Sequence, residues 1–282
     1  MIEGDGAMPE LAVSTWSLHR TLGPTYPGLA LHAGAREPQY PYGRGSLTLL
    51  DVPALVAGLG VPSLEVSHFY FPRTDPAYLA ELRRGLDDAH VRLLTLLIDE
   101  GDIAAADPAV RARDLTLMRG WIDVAATLGA LRVRVIAGQS EADRDGEAVR
   151  RSSAGLLALA AYAGPLGIAV TTENWLALTA RPADLLAILD GTGDAVGLCA
   201  DFGNYSGPTK YDDLAAILPR ACSIHAKAAF PSPGVMDEAD FRRCLDLARD
   251  ARFSGTYVLI FDSAGDERAS LLQMAEVVRA YL

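Results

Sequence analysis

Four side chains able to move a proton or meet a charge stand at the ends of three successive apolar runs. Glu173 closes GIAVTTE, Asp201 closes VGLCAD, and His225 with Lys227 ends CSIHAK. Carboxylates and an imidazole are the groups that acid–base chemistry draws on, and an ammonium beside them can stabilise a developing anion. Helical stretches separate the three runs, so their polar ends converge only if neighbouring strands run parallel. That is the layout of a barrel active site built from strand ends.

Strand side chains alternate between two faces, which sorts each run into an inward and an outward set. In AVTTE, Ala169, Thr171 and Glu173 share a face; in GLCAD, Gly197, Cys199 and Asp201 do; in SIHAK, Ser223, His225 and Lys227 do. Polar residues therefore point into the barrel and apolar ones toward the helices. Each polar residue alone could be a satisfied core group, but burying several charges is costly unless they are paired or hold a metal. Arg132 and Arg134 share a face of LRVRV, with Arg134 nearer the mouth. Glu65 shares a face with Ser63 and Ser67, and an internal salt bridge from Glu65 to Arg132 or Arg134 is the structural alternative. His68 follows that strand, and Asp99 and Glu100 close the next. Trp16, His19 and Trp175 are candidates for the wall of a sugar site.

The elements needed to position these residues are legible in period and punctuation. Eight apolar runs start near Leu11, Ser63, Val91, Leu131, Gly167, Val196, Ala221 and Thr256. They recur at roughly 35-residue intervals, one strand and helix each. Asp75-Pro76 and Asp107-Pro108 pair an N-cap with proline at the first helical position, and Ser140 with Asp143 resembles a capping box. Amphipathic segments follow, such as Leu115 to Leu128 and Val149 to Ala163. Eight such units predict an α/β fold, a single-domain (β/α)8 TIM barrel over residues 10–282, preceded by a flexible tail at 1–9. The long connection at 17–48 carries Pro24, Pro27, Pro38 and Pro41 among several glycines. Its length predicts a lid over the barrel mouth or an oligomer contact.

Composition narrows the partners. Half of the 282 residues are apolar and 22% are charged, as in a globular protein with a sizeable core. No apolar run is long enough to span a membrane, and the acidic start MIEGDGAMPE lacks the features of a secretory signal, so a cytoplasmic location is expected. A net charge of −11 without a basic run argues against nucleic acid. Cys199, Cys222 and Cys244 form no CxxC pair and read as reduced core thiols.

The motifs STWSLHR, TTENW, ADFGN and HAKAAF, in this order on eight strand–helix units, resemble the xylose isomerase-like barrel superfamily of sugar isomerases and epimerases. The resemblance implies a divalent ion, Mn, Mg, Co or Zn, held by residues from strands five to eight. By position the first three ligands map onto Glu173, Asp201 and His225. The eighth strand departs from the pattern: Ile260 stands where many relatives carry glutamate, and Asp262, two residues on, is the nearest carboxylate that could complete the shell. Asn204 likewise replaces a histidine and suits a substrate hydroxyl better than a transition metal. Relatives that epimerise keto sugars pair the fifth- and eighth-strand glutamates as acid and base, a scheme that Ile260 breaks while leaving one-base chemistry open.

The resemblance points to a metal-dependent isomerase or epimerase acting on a keto sugar, polyol or sugar acid. Glu173 would be the base and Lys227 the stabiliser of the enediolate, with Trp16, His19, His68, Arg134, Trp175 and Asn204 around the substrate; Lys227 or Arg134 could instead hold a carboxylate or phosphate. Elimination of water from the same intermediate is the second reading. A sugar-binding subunit without catalysis is the third. The superfamily's DNA-repair endonucleases hold three zinc ions with many histidines, whereas this acidic chain has five histidines in all. A carbohydrate is thus the expected small-molecule partner, and a homo-oligomer is compatible with the relatives.

Overall fold

The computed structural model describes residues 9–32, 34–139 and 146–282. The capping box anticipated at Ser140 and Asp143 lies outside the described residues, as does all of the anticipated tail except Pro9. Eight parallel strands close into a barrel in sequence order: β1 Glu10–Ser14, β2 Ser63–Ser67, β3 Arg92–Ile98, β4 Arg132–Val135, β5 Ala169–Glu173, β6 Val196–Asp201, β7 Ala221–Lys227 and β8 Thr256–Ile260. Closure is made by β1 on β8, where Leu11 registers with Tyr257 and Val13 with Leu259. The described helices are α1 His19–Leu22, α2 Val52–Gly58, α3 Pro76–Asp88, α4 Pro108–Leu128, α5 Glu147–Ala163, α6 Pro182–Thr192, α7 Lys210–Ile217, α8 Glu238–Asp250 and α9 Glu267–Val278.

Local chemistry starts and stops these helices where the sequence indicated. The Asp75 and Asp107 side chains accept the backbone N–H of Tyr78 and Ala109, and the prolines behind them lack an N–H that would have gone unpaired. Gly129 ends α4 at φ 72°, a left-handed conformation that glycine enters without the Cβ penalty.

Two apolar regions hold the barrel. The larger lies between strands and helices and includes Trp121, Phe202, Phe241 and Tyr257. The smaller is inside the barrel, where Ala12, Leu94, Val258 and Ile260 pack together with Trp16 against them. The remaining interior is largely polar, so chemistry is confined to the end of the barrel that this plug leaves open.

The connection after β1 is fastened to the barrel at several points. Its base is shut by Ser46 N–H donating to the Thr21 carbonyl (2.8 Å), and Gly23 and Gly45 approach so closely that a Cβ on either would stand 2.2 Å from backbone atoms of the opposite arm. Farther out, Tyr26 N–H donates to the Phe69 carbonyl, Gly28 N–H to Glu100 (2.8 Å), and Trp121 Nε1 to the Leu29 carbonyl (2.9 Å). These bonds fasten the segment to the wall beside β2 and β3.

Glu267, at the start of α9, holds the near end of the same connection. Its buried carboxylate accepts the backbone N–H groups of Arg20 and Thr21 (2.8 and 3.0 Å) and the Thr21 hydroxyl (2.6 Å). Glu267→Ala leaves these donors without an acceptor, an expected loss of about 3 kcal/mol of stability in urea unfolding. A loss below about 0.5 kcal/mol would mean that water replaces the carboxylate.

Candidate active site at the C-terminal mouth of the barrel

A cavity opens at the C-terminal ends of the strands, the end where barrels of this type carry their chemistry. Every strand contributes. Ser14 and Trp16 come from the end of β1, Ser67 from β2, Leu97 and Asp99 from β3, and Arg134 from β4. Glu173 and Trp175 follow from β5, Asp201 and Asn204 from β6, His225 and Lys227 from β7, and Ile260 and Asp262 from β8. No described residue of 17–48 lines it.

His225 organises the floor. Its Nε2 lies 2.9 Å from Glu65 Oε2, across the barrel on β2, which turns Nδ1 toward Glu173 Oε1 at 3.4 Å and Asp201 Oδ2 at 3.6 Å. Burial pulls the imidazole pKa down, but Cys199, Glu173 and Glu65 around it outweigh that and hold it well above the ordinary histidine value. Glu65 answers in kind: burial pushes its carboxyl up, and His225 more than reverses the effect. The salt bridge anticipated from Glu65 to an arginine is therefore a pair with His225. Arg132, at the outer end of β4, instead donates to the Cys222 carbonyl at 3.5 Å.

Arg134 lies between two carboxylates. Nη2 donates to Asp99 Oδ1 at 2.5 Å, and Nε stands 3.0 Å from Glu173 Oε2. The second contact is an ion pair without hydrogen-bond alignment, since both Nε and Oε2 lack a hydrogen-bond partner within the protein. The guanidinium also lies over the Trp175 ring, 5.2 Å from its centroid. Burial raises the Glu173 and Asp99 carboxyls, yet His225 and Arg134 bring Glu173 below its usual value, and Arg134 with His68 does the same for Asp99. Glu173 is accordingly ionised at neutral pH.

Further polar contacts fix the orientation. Asn204 Nδ2 donates to Glu173 Oε1 at 2.9 Å. Asn174 grips the backbone of Asp201, accepting its N–H (2.7 Å) and donating to its carbonyl (3.0 Å), while Gly203 N–H occupies Asp201 Oδ1 (2.6 Å). Asp201 Oδ2 is left toward His225. At the rim Lys227 Nζ donates to Asp262 Oδ2 at 2.9 Å; burial lowers the ammonium pKa, but Asp201 and Asp262 raise it past the usual value. Asp262 thus faces the cavity as a partner of Lys227, and Ile260 brings only carbon to the eighth-strand position below it.

Two of the anticipated substrate contacts do not reach the cavity. His68 is fully buried behind the wall, where Nδ1 lies 3.2 Å from the Asp99 backbone nitrogen and Nε2 3.8 Å from Glu100 Oε1. His19 turns outward, with Nδ1 against the Trp16 carbonyl (2.8 Å) and its ring on Tyr42. Both follow strand ends where the chain coils into a short helical turn, so strand alternation no longer says where they point.

The donors on the floor suit a divalent ion. Two ligands about 2.1 Å from a common ion are about 3.4 Å apart at a tetrahedral angle and closer at an octahedral one. The spacings from His225 Nδ1, 3.4 and 3.6 Å, match the wider case pair by pair, but Asp201 stands outside the group of described ligand atoms that all lie within 4.8 Å of one another, so the three share one ion only if a side chain shifts. Glu65 on the far side of the ring supplies the carboxylate that commonly orients a ligating histidine. The buried residues whose ligand atoms all lie within 4.8 Å of one another are Glu173, Cys199 and His225, a group that could hold a metal ion. Cys199 was read from sequence as a core thiol, although its parity with Asp201 already placed it inside. Asn174, on the outward parity, carried no such signal.

Comparison with known proteins agrees with this architecture. The family described as xylose isomerase-like TIM barrel matches residues 53–280. Among solved structures, a D-allulose 3-epimerase from Methylomonas sp. in complex with D-allulose aligns with TM-score 0.69 at 18% identity, covering 98% of both chains. A xylose isomerase-like TIM barrel protein from Mycobacterium smegmatis in complex with magnesium gives 0.68 at 18%, covering 98% of this chain and 97% of that one. A 3-keto-D-glucoside 4-epimerase from E. coli gives 0.64 at 14%, covering 83% and 94%. At such identities the likeness shows the fold. No curated protein sequence matches the chain. Among the described residues no helix is long and apolar enough to cross a membrane.

Proposed function

We propose that this chain, which belongs to the xylose isomerase-like TIM barrel family, is an isomerase or epimerase that removes a proton beside the carbonyl of a keto sugar, polyol or sugar acid. The observation that carries the reading is Glu173: a buried, ionised carboxylate lining the cavity, one oxygen held by Asn204 and the other without a hydrogen bond. Oε2 is the atom that would take the proton. Lys227, kept protonated by its neighbours, would meet the charge that forms on the substrate oxygen, and Trp16 and Trp175 would flank the apolar edge of the sugar. Glu173, Asp201 and His225 would hold a divalent ion, which supplies Lewis-acid polarisation of a carbonyl or hydroxyl when bound. Asp262 could reach the same shell only by leaving Lys227.

Ile260 favours a second reading. It leaves Glu173 without an opposing carboxylate at the depth of the floor, and one-base chemistry accommodates loss of a β-hydroxyl as readily as isomerisation. Lys227 would then protonate the departing oxygen. Product mass separates the two, because elimination removes one water.

The test is elemental analysis of the full chain purified without chelators, beside Asp201→Ala, followed by incubation of each with ketoses and sugar acids in deuterated water. The expected result is near-stoichiometric divalent metal that falls at least ~10-fold in the variant, with deuterium entering beside the carbonyl. Sugar binding by metal-loaded protein without exchange on any compound would overturn the enzyme reading in favour of a binding subunit.

A further inference from the structure

We propose that Asp262 sets the charge selectivity of the mouth: by engaging Lys227 it reserves the cavity for uncharged sugars and polyols and turns away sugar phosphates and sugar acids. The inference rests on the reading of the cavity as a carbohydrate site and narrows which carbohydrates enter it.

Each positively charged side chain among the described residues lining the cavity already faces a carboxylate. Arg134 stands between Asp99 and Glu173, His225 faces Glu65, Glu173 and Asp201, and Lys227 Nζ donates to Asp262 Oδ2 at 2.9 Å. An anionic substrate therefore finds no free positive partner among them. The pairs on the floor are buried, whereas the Asp262 side chain is 38% exposed and that of Lys227 26%, so this is the pair an incoming solute meets. A divalent ion on the floor would be matched by the floor carboxylates and would leave the rim pair unchanged.

Both halves of the pair are held in place. Phe261 is fully buried, its N–H donates to Ser17 Oγ and the Ser17 hydroxyl donates to the Leu259 carbonyl, each at 2.9 Å, which fixes the end of β8 and leaves Asp262 on the cavity side. Lys227 passes across Gly203, where a Cβ would stand 2.7 Å from Lys227 Cδ.

Neutral and charged ligands meet this pair differently. An ammonium has three donors, so Lys227 keeps two for the carbonyl or hydroxyl oxygens of a neutral sugar while Asp262 takes the third. A phosphate or carboxylate in the same place lies beside Asp262 as well as Lys227, and the like charges repel; a repulsive group of this kind is a general source of specificity.

The test is equilibrium binding to the full chain supplied with manganese, read by tryptophan fluorescence, since Trp16 and Trp175 line the cavity. The ligands are ketopentoses and ketohexoses, their terminal phosphates, and the sugar acids of the same length. The native protein is expected to bind the uncharged member of a series at least ~10-fold tighter at low salt, with the gap narrowing as salt is added. In Asp262→Asn the gap should close or reverse, and in Asp262→Glu it should persist, because charge rather than shape sets it. Circular dichroism confirms that the variants are folded, and the salt dependence of the native protein stands as a test without them. A native protein that binds a phosphate or acid as tightly as the sugar, or a gap that Asp262→Asn leaves unchanged, would overturn the inference and leave the carbohydrate reading intact. Selective binding of an uncharged sugar without turnover would support the inference while overturning the enzyme reading. Absence of binding by every compound would overturn both.

Discussion

Glu173→Gln is expected to lower turnover of any sugar the protein accepts by about 10²–10⁴-fold, the usual contribution of a positioned general base. The substitution keeps the size of the side chain and an oxygen for Asn204 to donate to, so the fold should persist. Arg134 retains Asp99, and His225 retains Glu65 and Asp201. What disappears is the charge that accepts the proton. Because the same carboxylate is assigned to the ion, metal content must be measured beside turnover. A variant that still binds metal and fails to exchange deuterium isolates the base; one that loses both isolates the site as a whole. A folded variant with undiminished turnover would remove Glu173 from the chemistry.

How far such a site could be read without coordinates depended on the range of the interaction. The eight strands begin within about two residues of where apolar runs begin, because alternation and helix caps are written locally. The same alternation brought Glu173, Asp201, His225 and Lys227 into one cavity, with Arg134 beside them. It failed past the strands, one residue on at His68 and five residues on at His19, where the backbone coils and the two-residue period ends. It was also blind to the Glu65–His225 pair, which exists because closure sets β2 across from β7, a relation between residues 160 apart in sequence. The anchoring of the connection at 17–48 was hidden for the same reason. Its prolines and glycines announced an irregular segment, but the bonds that fasten it come from Phe69, Glu100 and Trp121, far along the chain. Cys199 is the buried free thiol its apolar run announced, and parity had placed it on the inward face, beside Glu173 and His225.

Arg134→Met should be the most destabilising change on the floor, at about 3–5 kcal/mol near neutral pH, the usual cost of removing one partner from a buried ion pair. Methionine restores most of the volume, so the loss is electrostatic: Asp99 keeps only His68 nearby, and Glu173 keeps His225. The pH dependence follows from Asp99, whose carboxyl burial raises and Arg134, foremost, brings below its usual value. A carboxyl with a depressed folded pKa contributes stability above the unfolded value, about 4, and loses it as pH falls through the folded one. The gap between native and variant in urea unfolding should therefore be widest near pH 7 and narrow only as pH drops below that range, where the carboxyls that Arg134 paired take up protons. Arg134→Lys should recover part of the gap, because an ammonium supplies charge without the planar fork that reaches Asp99 and Glu173 together. A gap that stays constant from pH 7 down to the acid limit would assign the effect to packing against Trp175 and would leave the guanidinium without its part in keeping Glu173 ionised.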